Sequence, residues 1–131
     1  MGARRGLIFI VDDDEAIRSS LKFVLELDGL AVRACAGAEE FLAHPEFEQC
    51  VCAVIDYSMP HCDGLDLIRR MTKSRPEIPA VLITGEITGR LQREARKLGI
   101  QSVLEKPMFG NILLDAIRTA MAKSDLGPPR Q

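Results

Sequence analysis

The chain has 131 residues, a formal net charge of -2 at pH 7, 47% hydrophobic residues and 27% charged residues. This length and composition predict one globular domain and exclude collagen, coiled-coil and disordered chains. The slightly acidic balance of charges argues against contact with nucleic acid. The first apolar run, Leu7–Val11, is too short for a signal peptide or a membrane span. We therefore expect a cytoplasmic protein that contacts no membrane.

Short apolar runs alternate along the chain with amphipathic stretches. Most of the runs are rich in Val, Ile and Leu without polar alternation, which predicts strands that are covered on both faces. The five runs are residues 7–11, 31–35, 51–55, 80–83 and 102–104.

The stretches between the runs carry apolar residues at the three- and four-residue spacing of a helix. In the first stretch, Asp14 is a candidate N-cap and Gly29 a candidate end. The other helical patterns are a short segment at 39–43 and three apolar stripes that begin at Leu65, Ile87 and Leu113.

The order of these elements predicts an α/β fold. Five strand-then-helix units favour a doubly wound, flavodoxin-like sheet of five parallel strands in the order 2-1-3-4-5, with helices on both faces. The tail, 124–131, contains Gly127-Pro128-Pro129 and is typical of a linker or a disordered end.

Acidic residues follow two predicted strands at the place where ligands bind in open α/β sheets, beyond the carboxyl ends of the strands. Asp12 and Asp13 follow the first strand, and Asp56 follows the third, its neighbour in the expected order. Carboxylates this close repel each other unless one is protonated or a cation lies among them. Because the cluster offers only oxygen ligands, we expect Mg²⁺ or a similar hard cation.

Thr84 and Lys106 follow the fourth and fifth strands, so a hydroxyl and an ammonium group join the same edge. Together with a cation around one carboxylate, they suit phosphoryl transfer, for which Asp is a competent nucleophile. Each part has a simpler interpretation alone: a helix cap for the acidic run, a turn for Thr84-Gly85 and a strand end for Lys106-Pro107. Their coincidence at one edge favours a functional site.

Four stretches of the sequence carry a family resemblance. They read IFIVDDDE at 8–15, VIDYSMPHCDG at 54–64, LITG at 82–85 and EKP at 105–107. In this order and spacing they resemble the receiver domain of two-component response regulators, and its FixJ-type subgroup in particular, over about residues 6–123. The resemblance implies a phosphorylation-dependent switch of a phosphorelay rather than an enzyme, with self-catalysed phosphotransfer and weak autodephosphorylation at most.

The resemblance also implies roles for the clustered residues. Asp56 is the expected acceptor of a phosphoryl group from a sensor histidine kinase or a histidine phosphotransfer protein. Asp12, Asp13 and Asp56 are expected to bind Mg²⁺ together with the backbone carbonyl of Ser58.

The remaining family features concern the response to phosphorylation. Thr84 and Lys106 are expected to bind the phosphoryl oxygens, and the peptide bond before Pro107 is a candidate for the cis form. Phosphorylation is expected to change the face formed by the fourth helix, the fifth strand and the fifth helix. The partners implied are a DNA-binding output domain or a target protein, with a homodimer as a further candidate.

Val103 departs from the family pattern, which usually has Tyr or Phe three residues before the lysine. It is therefore a candidate for tuning the switch, as are Tyr57, Gly85 and Glu86 beside the expected phosphoryl site. The departure keeps open a second hypothesis, a pseudo-receiver that acts as a constitutive protein-interaction module. A stand-alone aspartyl phosphatase is disfavoured because 131 residues leave no room for a substrate cap.

Cysteines and a group of cations complete the candidate residues. Cys50 and Cys52 are two positions apart in a predicted strand, which predicts core thiols that point to the same face. Cys62 is expected to pack in the loop after Asp56, with a reactive thiol as the alternative. The fourth helix carries four cations, most of which are expected to share a solvated face, or else to form a docking face for an acidic partner: Arg90, Arg93, Arg96 and Lys97.

Overall fold

The apolar runs form five strands, and the amphipathic stretches form five helices, in a computed structural model that describes residues 6–100 and 102–124. The strands are β1 (Leu7–Val11), β2 (Val32–Cys35), β3 (Cys50–Asp56), β4 (Ala80–Thr84) and β5 (Ser102–Glu105). The helices are α1 (Glu15–Leu27), α2 (Ala38–Leu42), α3 (Gly64–Ser74), α4 (Gly89–Lys97) and α5 (Gly110–Ala122), and a short 3-10 helix (Phe47–Gln49) precedes β3. The predicted tail, 124–131, lies outside the described residues apart from Ser124.

The strands form one parallel sheet in the order β2-β1-β3-β4-β5, which confirms the predicted topology. Neighbouring residues of β1 enter two different cores: Phe9 faces the core under α2, α3 and α4, and Ile10 faces the core under α1 and α5. Every residue of β1, β3 and β4 is buried. Burial on both faces explains why these runs show no polar alternation.

The ends of α1 follow the predicted signals. The Asp14 carboxylate accepts hydrogen bonds from the backbone N–H groups of Ala16 and Ile17 and so caps the helix. Gly29 follows the helix with a φ of 88°, a conformation that glycine adopts without strain. None of the helices within the described residues has the length and apolar character needed to cross a membrane.

The start of α4 differs from the prediction. The Thr88 hydroxyl accepts a hydrogen bond from the Leu91 N–H and caps the helix, so that α4 begins at Gly89. Ile87, the expected first member of the apolar stripe, therefore lies in the preceding loop. A cap outweighs the periodic pattern here because it satisfies a backbone donor that the first turn leaves unpaired.

One extra residue interrupts the pairing of β3 with β1 at the amino ends of these strands. Leu7 pairs with Cys50, whereas Ile8 pairs with Cys52, so Val51 is the additional residue. Cys50 consequently joins the core under α2, α3 and α4, and Cys52 joins the core under α1 and α5. The prediction that both thiols point to the same face is therefore wrong, because the register shift changes the phase of the two-residue alternation.

Three of the four cysteines should resist alkylation in the folded protein. Burial raises the pKa of Cys35 and Cys52 to about 12 and raises that of Cys50 as well. Only thiolates react rapidly, so we expect iodoacetamide at neutral pH to modify half-buried Cys62 alone. Intact mass should show one adduct on the native protein, none on Cys62→Ser, and four on the unfolded parent. A second rapid adduct with native circular dichroism would contradict this expectation.

Candidate functional site

Three carboxylates meet at the carboxyl edge of the sheet. Val11 and Ile55 are paired in the sheet, so the Asp12–Asp13 turn after β1 lies beside Asp56 at the end of β3. One carboxylate oxygen from each of the three residues lies within 4.8 Å of the others. Asp12 and Asp56 are buried, whereas Asp13 is exposed. The cluster is therefore buried on the side of Asp12 and Asp56 and open to solvent on the side of Asp13.

The Asp12 backbone and side chain are held by separate hydrogen bonds. The Asp12 N–H donates to the Cys35 carbonyl at 3.1 Å, and its Oδ1 accepts from the Asp14 N–H at 2.8 Å. Arg18, on the first turns of α1, donates from Nη1 to the Asp12 carbonyl at 2.8 Å. This contact was not predicted, because an Arg within an amphipathic helix pattern has no feature that distinguishes it from a solvated cation.

Lys106 supplies the positive charge of the cluster. Its Nζ lies 2.9 Å from Asp56 Oδ1 and 3.4 Å from Asp12 Oδ2. Its backbone N–H donates to the Thr84 carbonyl at 2.8 Å, which ties the end of β5 to the end of β4. The following peptide bond, to Pro107, is cis. One ammonium group against three carboxylates leaves the cluster with an excess of negative charge.

The electrostatics of Asp56 and Lys106 reflect this crowding. Burial raises the pKa of Asp56, and the nearby Asp12 and Asp13 charges raise it further, against the lowering effect of Lys106. Burial alone would lower the pKa of Lys106, but its bonds and charge interactions with Asp56 and Asp12 raise that pKa above its ordinary value. Lys106 therefore remains an ammonium group at neutral pH, and the cluster can still accept a further cation.

Thr84 lies beside Asp56 because Ile83 and Asp56 are paired across β4 and β3. The side chain is buried, and its hydroxyl is engaged by the loop that follows β4. Oγ1 donates to the Glu86 carbonyl at 3.1 Å and accepts from the Glu86 N–H at 3.3 Å. In this conformation the hydroxyl proton is directed to the main chain of its own loop.

The remaining candidate residues divide between two grooves. Ser58, Tyr57, Gly85 and Glu86 belong to the lining of a groove of about 850 Å³ between α3 and α4, next to Thr84. Val103 is half-buried and lines a separate groove of about 340 Å³, formed with residues of α4 and the end of the loop before β5. The first four candidates therefore share one groove with Thr84, whereas Val103 lines a different one.

The cations of α4 and the loop cysteine lie outside the cluster. Arg90, Arg93, Arg96 and Lys97 are all exposed, as a solvated helix face requires. Cys62 packs in part against the core under α2, α3 and α4, as expected for a loop residue, and its Sγ lies 3.8 Å from Arg70 Nη1.

Sequence comparison identifies the family. A family profile described as the response regulator receiver domain matches residues 8–118. The chain belongs to this family. Receiver domains are phosphoacceptor signalling modules rather than classical enzymes, and the acidic cluster with Lys106 is consistent with that role.

Two named relatives show how this receiver compares with longer proteins. It is 35% identical over 113 residues to the transcriptional regulatory protein FixJ of Rhizobium meliloti, covering 86% of this chain and 55% of the relative. It is 33% identical over 121 residues to the response regulator protein TmoT of Ectopseudomonas mendocina, covering 92% of this chain and 55% of the relative. The chain thus spans about half the length of these curated relatives.

Solved structures share the fold of this receiver closely. The crystal structure of FixJ-N superposes with a TM-score of 0.80 at 35% identity, covering 94% of this chain and 97% of that chain. A CheY-like receiver domain protein from Methanospirillum hungatei JF-1 superposes with a TM-score of 0.83 at 31% identity, covering 91% of this chain and 95% of that chain. The similarity extends over nearly the entire length of both solved chains.

Proposed function

We propose that this receiver, within residues 6–123, accepts a phosphoryl group from a phosphohistidine onto Asp56 and acts as a switch in a two-component phosphorelay. The observation that carries the proposal is the placement of the Asp56 carboxylate, which is buried beside two further carboxylates and 2.9 Å from the Lys106 ammonium group. A nucleophilic carboxylate with fixed charges around it is what phosphoryl transfer requires, since catalysis of this reaction consists mainly of positioning and charge neutralisation.

The proposed reaction moves the phosphoryl group from an imidazole nitrogen to a carboxylate oxygen. An Asp56 oxygen forms the new P–O bond while the P–N bond breaks, and the electron pair of that bond remains on the imidazole. The other ring nitrogen of the phosphohistidine carries a proton, so the imidazole leaves as neutral histidine. Lys106 offsets the negative charge on the resulting acyl phosphate. Thr84 follows Ile83, the sheet partner of Asp56, and once its hydroxyl leaves the Glu86 carbonyl it would donate to a phosphoryl oxygen.

Mg²⁺ is the metal that this donor set fits best. The three carboxylates contain only hard oxygen ligands, and the open side at exposed Asp13 leaves room for the water ligands that Mg²⁺ retains. We assign Asp12, Asp13, Asp56 and the backbone carbonyl of Ser58 as its ligands. When bound, Mg²⁺ would neutralise charge on the transferring phosphoryl group.

The proposed partners follow from the family and from the length of the relatives. A sensor histidine kinase or a histidine phosphotransfer protein would supply the phosphoryl group in the cytoplasm. Because the chain spans about half of relatives named as transcriptional regulators, a DNA-binding output domain is one proposed recipient of the signal, and a separate target protein is the other. The face formed by α4, β5 and α5 is the proposed site of the change and of any homodimer.

The test is phosphoryl incorporation from a small phosphoramidate donor, followed by intact mass. We expect one phosphoryl group on the parent with Mg²⁺, none with EDTA, and none on Asp56→Asn. Asp66→Asn removes an exposed carboxylate of α3 that is paired with Arg69 outside the cluster, and it should incorporate phosphoryl like the parent. Equal incorporation by the parent and Asp56→Asn would show that another residue is modified and would overturn the assignment.

A pseudo-receiver is the second candidate function, and Val103 is the observation that favours it. Val103 lines a groove with Gln92, Arg96 and Ile100. Unlike the Tyr or Phe that is usual at this position in the family, its side chain has no aromatic ring that could change position in this groove upon phosphorylation. A constitutive interaction module would bind Mg²⁺ yet show no phosphoryl increment under the same conditions. That combination would replace the switch proposal with the pseudo-receiver.

A further inference from the structure

The loop between β4 and α4, residues 85–88, is tied to β5 by the side chain of Glu105. Glu105 Oε1 accepts a hydrogen bond from the Ile87 N–H at 3.0 Å. Glu105 is the last residue of β5 and is paired with Thr84 in the sheet, so its exposed carboxylate reaches from the neighbouring strand across the loop entrance. A contact between strand and loop that spans 18 positions constrains the loop more than a local turn does.

Thr84 and Glu105 hold the two sides of one peptide group of this loop, the one that joins Glu86 to Ile87. The Thr84 hydroxyl is bonded to both the N–H and the carbonyl of Glu86, and Glu105 is bonded to the N–H of Ile87. Gly85, Glu86 and Thr88 are exposed, so these positions contribute no buried side chain to anchor the loop. The two hydrogen-bonding side chains therefore act on the same short segment from its two flanking strands.

A conflict arises when Asp56 carries a phosphoryl group. A Thr hydroxyl has one proton, so Thr84 cannot donate to the Glu86 carbonyl and to a phosphoryl oxygen at the same time. Recruitment of Thr84 breaks its donation to Glu86 and frees that part of the loop to move. Glu105 still holds the N–H of that same peptide group, at Ile87, and this bond opposes the movement.

We propose that Glu105 is a positioning residue that latches the loop between β4 and α4 in its unphosphorylated conformation and must release Ile87 when Thr84 turns to the phosphoryl group. This inference rests on the proposed function of Asp56. In this proposal, movement of Thr84 is coupled to β5 by the hydrogen bond between the Glu105 carboxylate and the Ile87 N–H. Val103, two residues before Glu105 in β5, has neither a ring nor a polar group with which to make that link.

Two variants separate the hydrogen bond of Glu105 from its charge. Glu105→Gln loses the charge but keeps a carbonyl oxygen that can accept from Ile87, whereas Glu105→Ala loses both. Beryllofluoride with saturating Mg²⁺ serves as the probe, because it mimics a phosphoryl group on a carboxylate. Tyr57, the chain's single Tyr in a sequence without Trp, reports binding by its fluorescence next to Asp56.

We expect Glu105→Ala to bind beryllofluoride roughly two- to tenfold more tightly than the parent, the range that one net hydrogen bond of the resting state accounts for. Glu105→Gln should bind like the parent, and the three proteins should bind Mg²⁺ alone with the same affinity. Equal beryllofluoride affinities of Glu105→Ala and the parent would overturn the latch. If Glu105→Ala and Glu105→Gln both bound beryllofluoride more tightly by the same factor, the lost charge would explain the effect, and the latch would be overturned as well.

Hydrogen exchange of the Ile87 amide separates failure of the latch from failure of the proposed function. Without any ligand, this amide should exchange severalfold faster in Glu105→Ala than in the parent and at the parental rate in Glu105→Gln. If the parent fails to bind beryllofluoride, the proposed function of Asp56 fails, and the exchange rates still decide whether Glu105 restrains the loop. Unchanged exchange in Glu105→Ala would reject the restraint itself.

Discussion

Replacing Asp13 with Asn should remove the stabilisation that Mg²⁺ gives this receiver and should stabilise the metal-free protein. Asp13 is the exposed member of the carboxylate cluster, and within the described residues no Lys or Arg forms an ion pair with it. Its charge therefore adds repulsion in the absence of metal and attraction in its presence. A Mg²⁺ concentration one hundred times the dissociation constant should raise the parent's free energy of unfolding by about 2.7 kcal/mol.

Urea unfolding with EDTA and with Mg²⁺ measures both parts of this expectation. In EDTA, Asp13→Asn should be more stable than the parent by about 1 kcal/mol, the scale of one like-charge contact in a hydrated site. Glu48→Gln is the matched control, because it removes an exposed charge near the amino end of β3, opposite Asp56. That variant should keep the full Mg²⁺ effect. A Mg²⁺ effect of parental size in Asp13→Asn would exclude Asp13 as a ligand.

Replacing Gly64 with Ala should destabilise the receiver by about 1–3 kcal/mol, as is usual for forced overpacking. An added Cβ would lie 2.7 Å from the Asp56 carbonyl oxygen and 2.8 Å from the Tyr57 Cα. Both contacts involve backbone, which cannot move aside as the end of a flexible side chain does. The Gly64 N–H also donates to the Tyr57 carbonyl at 2.8 Å, so the start of α3 is fixed against the residue that follows Asp56, the proposed phosphoacceptor.

Thermal and urea unfolding of Gly64→Ala test this packing, with Gly37→Ala as the control. Gly37 precedes α2, and an added Cβ there meets nothing within 4 Å, so its unfolding should stay close to that of the parent. Because the strain in Gly64→Ala falls on the Asp56–Tyr57 peptide, the variant should also incorporate phosphoryl more slowly than the parent. Parental stability of Gly64→Ala would mean that α3 is free to move away from β3.

The strands and the acidic edge could be predicted because each depends on a signal within a few neighbouring residues. Leu7–Val11 is apolar without alternation because both of its faces are covered, and that burial is visible in the sequence. The placement of Asp12, Asp13 and Asp56 follows from a general rule for parallel sheets, in which residues after neighbouring strands meet at one edge. The roles of Thr84 and Lys106 were inferred from the same rule together with the family resemblance.

The features that sequence reasoning missed all depend on contacts without a periodic signature. Nothing in the residues near Glu105 indicates that its carboxylate accepts from the Ile87 N–H. Arg18 resembles any cation of an amphipathic helix until its guanidinium is seen on the Asp12 carbonyl. The opposite orientations of Cys50 and Cys52 arise from one residue of register shift, which composition and alternation do not reveal.

The extra residue in β3 has a consequence for how this domain tolerates changes in length. The shift occurs between Leu7 and Ile8 of β1, and the pairs from Ile8 onward run regularly to Val11 and Ile55 below the acidic cluster. An insertion or deletion absorbed at Val51 would therefore leave the register at Asp56 intact, whereas one in the regular part of the strand would displace the proposed phosphoacceptor. Homologous sequences can therefore gain or lose a residue at the amino end of β3 and still keep Asp12, Asp13 and Asp56 together.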